Sequence, residues 1–103
     1  MKTVSKPRAP GAVAEVRPEI DYPQQNETVA PGAYTFRVGA PPAADAVDVS
    51  IDQGPWQPCR NAAGYWWFDW NDYDGGEHEV IARARANKGR WLVSIPHEFF
   101  VQS

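Results

Sequence analysis

The sequence predicts an all-β protein of seven short strands, arranged as two sheets packed face to face. Three observations point there. Apolar and polar residues alternate with a period of two along most of the chain. Turn-forming residues interrupt it about every 8–12 positions, the spacing of a two-sheet sandwich. No stretch carries a 3.6-residue apolar period with helix caps, so no helix is expected.

The chain is organised around residues 64–86. Trp66, Phe68 and Trp70 occupy alternate positions, so a pleated strand puts all three on one face and Tyr65 and Trp67 on the other. Beyond the acidic turn Asn71-Asp72-Tyr73-Asp74-Gly75-Gly76, small residues repeat the alternation: Val80, Ala82, Ala84 and Ala86. Small side chains opposite large ones let two facing sheets interdigitate.

Taken from the start, residues 1–16 contain Pro7, Pro10 and Gly11 without any apolar period, and read as a flexible tail or linker ahead of a sandwich over 17–103. Arg17 to Tyr22 is a short strand that Pro18 and Pro23 confine to a sheet edge. Gln24 to Gly32 reads as loop. Ala33 to Val38 turns Tyr34, Phe36 and Val38 inward and Thr35 and Arg37 outward. Val47, Val49 and Ile51 alternate with Asp48, Ser50 and Asp52, which makes a strand ending in the Asp52-Gln53-Gly54 turn. Trp56 to Arg60 is a short return strand, also at an edge because of Pro55 and Pro58, and Asn61 to Gly64 is the next turn. The aromatic strand and its partner follow, then a tight turn at Asn87-Lys88-Gly89. Residues 90–102 form the last strand, broken at Pro96.

Charge is unevenly spread. Residues 1–17 hold four bases and one acid, whereas 18–103 hold six bases and twelve acids, a balance of −6. An acidic body argues against nucleic acid as a partner, because phosphate binding needs a basic face. No stretch is apolar enough for a membrane span or a signal sequence, so no membrane partner is expected. The single Cys59 excludes an internal disulfide, and the fold must stand on packing.

Val47-Asp-Val-Ser-Ile-Asp52 with Gly54 and Trp56, followed by Trp70, Gly75-Gly76, Ile81-Ala-Arg-Ala84 and Gly89, resembles the immunoglobulin-like (E-set type) sandwich of bacterial accessory modules. The pattern is similar to the C-terminal domain of sulfite-oxidase-type molybdenum enzymes, and in outline to carboxy-terminal modules of bifunctional penicillin-binding proteins. The resemblance implies a seven-stranded immunoglobulin-like sandwich that serves self-association, spacing or docking. No cofactor-binding domain precedes the sandwich in this sequence, so the family's catalytic residues have no counterparts here.

No catalytic constellation is visible, and neither an enzyme activity nor a cofactor is expected. Asp69, Asp72, Asp74 and Glu77 invite a calcium reading, but aligning Asp74-Gly75 with a calcium loop puts Trp70 at the first ligand position, where it cannot ligate. The same acids offer a glycosidase pair, with no cleft predicted around them. His78, His97 and Cys59 lack ligand spacing for zinc. Arg83, Arg85, Lys88 and Arg90 form a basic ladder. It offers an anionic ligand site, weighed against neutralisation by Asp48 and Asp52 across the sheet.

The candidate binding residues are aromatic: Tyr65 and Trp67 on the outer face, with Trp56 and Trp91 near turns. They fit a non-catalytic docking or spacer module whose partner is another protein or a second copy. Alternatively, Tyr65, Trp67 and Trp91 stack sugar rings in a carbohydrate-binding module. Against both stands a structural use, in which Trp67 covers Arg37 in a cation–π contact.

Overall fold

A computed structural model describes residues 17–103; the expected tail over 1–16 lies outside the described residues. The strands are β1 (Glu19–Tyr22), β2 (Thr28–Val29), β3 (Ala33–Gly39), β4 (Ala46–Ile51), β5 (Gln57–Pro58), β6 (Arg60–Ala62), β7 (Tyr65–Asn71), β8 (Gly76–Arg85), β9 (Leu92–Val93) and β10 (His97–Val101). They form a four-stranded sheet in the order β1-β3-β7-β6 and a six-stranded sheet in the order β2-β10-β8-β4-β5, with β9 paired to β8. The described residues contain no helix, and therefore none long and apolar enough to cross a membrane.

The inner faces follow the sequence pattern. Tyr34, Phe36 and Val38 pair in register with Trp70, Phe68 and Trp66. Across the sandwich lie Val47 and Val49 of β4, Val80, Ala82 and Ala84 of β8, and Phe99 and Val101 of β10, all buried. The centre of the core is Phe36 rather than Phe68. The Phe36 ring lies 5.4 Å from Tyr34, 5.5 Å from Trp70 and 5.8 Å from Phe99, and both Phe36 and Phe99 are fully buried. Trp66, Phe68 and Trp70 share this face but are only partly buried. Their strand is one short strand, β6, from the sheet edge, so the rings cover the core's flank.

Three features depart from the expected seven strands. The return strand over 56–60 is two strands in different sheets: β5 pairs with β4, and β6 pairs with β7. The chain changes sheets at Cys59, whose amide donates to Val47 O at 2.8 Å. Asn61 and Ala62, expected in a turn, belong to β6, and the turn narrows to Ala63-Gly64 with φ of 54° and 80°. Positive φ at both central residues gives the turn a twist that matches the flanking strands. Residues 90–102 divide into β9 and β10 around Pro96, as expected. The expected loop over 24–32 contains β2, which pairs parallel to β10.

Candidate functional site

The outer face of the four-stranded sheet is built by alternation in β3 and β7, which throws Thr35, Arg37, Tyr65, Trp67 and Asp69 outward. Tyr22 of the edge strand pairs with Arg37. The Arg37 guanidinium lies between two rings, 4.7 Å from Tyr22 and 4.2 Å from Tyr65, while its Nε donates to Asp21 Oδ2 at 3.1 Å. Both tyrosines are exposed, at 41% and 37%. Beside them Asp69 accepts from Thr35 at 2.8 Å and Arg60 at 2.7 Å, and these two contacts lower its pKa. Trp67 is half-buried, and its indole N–H donates to Ala62 O at 2.8 Å. Its ring meets Tyr65 edge-on, 6.0 Å away at 74°. The expected stacking of Trp67 on Arg37 is thus made by Tyr22 and Tyr65 instead.

The outer face of the six-stranded sheet carries the other two aromatics. Arg83 stacks between Trp56, at 4.5 Å, and Trp91, at 3.9 Å; Arg85 lies 4.4 Å from the same Trp91 ring. Asp48 takes two bonds from Arg83, at 2.9 and 2.8 Å, as the cross-strand register predicts. The matching expectation for Arg85 and Asp52 fails. Arg85 pairs with Ala46 at the other end of β4, while Asp52 accepts from His78 Nδ1 at 2.6 Å and from the Glu79 amide at 2.9 Å.

Tyr65 and Trp67 therefore lie on the opposite outer face from Trp56 and Trp91, and no flat surface takes in all four. This corrects the sugar platform of Tyr65, Trp67 and Trp91. The reason is strand membership: Trp56 and Trp91 directly precede β5 and β9 of the six-stranded sheet, whereas Tyr65 and Trp67 belong to β7 of the other sheet. Tyr22 was missed as a member of the first face. Its signal, an aromatic opposite Arg37, exists only once the β1–β3 register is known.

Several of the residues weighed for catalysis or metal binding are otherwise engaged. Burial, aided by the Asp48 charge, pushes the Cys59 thiol up to about 12, which leaves it protonated and a poor nucleophile at neutral pH. His97 Nδ1 contacts Pro23 O at 2.8 Å. His78 bridges two acceptors, Asp52 Oδ2 and Asp74 O, the latter 2.7 Å from Nε2. Among the described residues no three His, Cys, Asp or Glu side chains come together as a metal site. Asp69, on the outer face with Arg60, stands apart from the rest of the acidic turn.

No protein-family model matches the chain, and no curated protein matches it in sequence. Solved structures do. The fibronectin(III)-like modules of Clostridium thermocellum CbhA superimpose with a TM-score of 0.64 and 17% identity, over 82% of this chain and 93% of theirs. The fold is a two-sheet β-sandwich similar to that of these modules. An engineered protein gives a TM-score of 0.69 and 22% identity over 89% of this chain and 21% of its own length. A modular endo-β-1,4-mannanase from Cellulomonas fimi gives 0.65 and 22%, over 88% of this chain and 19% of the enzyme. The chain thus spans about a fifth of these last two proteins. The likeness is to β-sandwich modules at large and does not reach the narrower resemblance to sulfite-oxidase-type enzymes.

Proposed function

We propose that this β-sandwich is a non-catalytic docking module, working through the outer face of its four-stranded sheet, with residues 1–16 as its linker. The observation that carries this reading is the exposed Tyr22–Arg37–Tyr65 stack. Tyrosine and arginine are enriched where proteins meet, because they bury large area with few rotors and still make polar contacts. Asp21 and Tyr65 hold Arg37 in place before any partner arrives, which lowers the ordering cost of binding. A second copy of the chain is the first partner to test. Sedimentation velocity over a concentration series should show association that Tyr65→Ala abolishes without lowering the melting temperature. A monomer at every concentration, with the parent and Tyr65→Ala alike, would rule out self-docking.

A second reading rests on the same two exposed rings: Tyr22 and Tyr65 as a sugar platform beside the hydrogen-bonding Asp21 and Arg37. The perpendicular Tyr65 and Trp67 rings weigh against it, since a flat polysaccharide face needs coplanar rings. Affinity gels cast with glucomannan or hydroxyethylcellulose separate the two, because only a sugar platform is retarded in a Tyr65-dependent way.

A further inference from the structure

The six bases of residues 18–103 divide into two groups. Arg37, Arg60 and Arg83 each have a carboxylate partner, in Asp21, Asp69 and Asp48. Arg85, Lys88 and Arg90 form no ion pair with any described residue, and they lie within six positions of one another at the β8–β9 corner. Asp45, the carboxylate at this corner, accepts from the Asn87 amide at 2.7 Å and forms no ion pair with the three bases. Arg85 Nε is the described side-chain atom left buried without a hydrogen-bond partner. Lys88 sits at φ 58°, where a side chain is strained and glycine would be easier, so the turn itself gains nothing from lysine. Three cations without a paired carboxylate leave their hydrogen-bonding capacity to water or to an anionic ligand.

We propose that this corner, with the Trp56–Arg83–Trp91 stack beside it, binds an acidic polysaccharide. Arg85, Lys88 and Arg90 meet its anionic groups. Trp56, 37% exposed, offers ring surface to the apolar C–H groups of a pyranose. An exposed ring face beside cations is a contact that a pyranose uses and a carboxylate side chain does not. The site lies on the face opposite the Tyr22–Arg37–Tyr65 stack, so it stands or falls separately from the docking reading.

The test is affinity electrophoresis of the whole chain in native gels containing polygalacturonate, dextran sulfate, poly-glutamate or hydroxyethylcellulose. Polygalacturonate or dextran sulfate should retard the protein, and hydroxyethylcellulose should not; which of the two acts tells carboxylate from sulfate. Lys88→Gln with Arg90→Gln, both exposed, should weaken retention about tenfold, and 0.5 M salt should do the same by screening. Trp56→Ala should weaken it several-fold with an unchanged circular dichroism spectrum. No retardation by either acidic polysaccharide would overturn the proposal, as would retention indifferent to the Lys88/Arg90 change. Equal retention by poly-glutamate that ignores Trp56→Ala would also overturn it, in favour of an acidic protein surface.

Discussion

The two outer faces of this sandwich use the same device to opposite ends. Each lays an arginine across aromatic rings and fixes it with an aspartate from a neighbouring strand: Arg37 with Asp21 on the four-stranded sheet, Arg83 with Asp48 on the six-stranded sheet. On the first face every cation among the described residues 18–103 is answered, and what remains for a partner is aromatic surface. On the second, Arg83 is answered while Arg85, Lys88 and Arg90 are not. A counter-ion supplied by the chain marks charge used for folding; charge left without one is open to a ligand.

The faces share one floor, so the largest effect comes from breaking it. Phe36→Ala removes the fully buried ring at the centre of the core and should cost about 3–5 kcal/mol, enough to unfold a domain of ordinary stability. Phe68→Ala, half-buried on the same face, should cost clearly less by chemical denaturation. Equal losses would move the centre of the core from Phe36 to β7.

The aspartates sharpen the comparison next. Asp48 and Arg83 are the most enclosed pair, with side chains 14% and 23% exposed, so Asp48→Ala strands a largely desolvated guanidinium and should cost about 2 kcal/mol. Asp21 is about twice as open as Asp48, so Asp21→Ala should cost less, about 1 kcal/mol. Asp69→Ala should leave the melting temperature unchanged within error, since water screens that pair on both sides. A reversed order would mean that the first face, not the second, spends its charge on the fold.

A smaller effect belongs to the end of the sandwich between these faces. Both ring nitrogens of His78 meet acceptors, so the doubly protonated ring satisfies both. Burial lowers its pKa, but the bonds to Asp52 and Asp74 outweigh that and leave it raised above 6.5. A raised folded-state pKa means the protonated ring stabilises the fold fully below about pH 6.5 and less as pH climbs through the folded value. Melting temperature should therefore fall modestly above pH 6.5, and His78→Gln should flatten that slope. A slope unchanged by the substitution would remove His78 as its source.

How much of this was legible beforehand follows from the range of each interaction. The inner faces were, because alternation in 34–38, 47–51, 66–70 and 80–84 is written within single strands. So was the Asp48–Arg83 pair, which needs only that β4 lie beside β8. The division at Cys59 was not: Gln57 to Ala62 carries no alternation of its own, and its two halves are claimed from opposite sides, by Val49 before it and Trp67 after it. The Thr28–Val29 pairing is two residues long, too short for any period. The separation of Trp56 from Tyr65 and Trp67 depends on that crossing, that of Trp91 on the pairing of β9 with β8, and Tyr22's place beside Arg37 on register.

The independence of the two faces is most directly tested by one further gel. The Tyr22→Ala, Tyr65→Ala double variant strips the first face and leaves the β8–β9 corner untouched. Its retardation in polygalacturonate should equal that of the parent chain. Loss of retention in a variant that still folds would mean the tyrosines contribute to anion binding, and the two faces would not be separate sites.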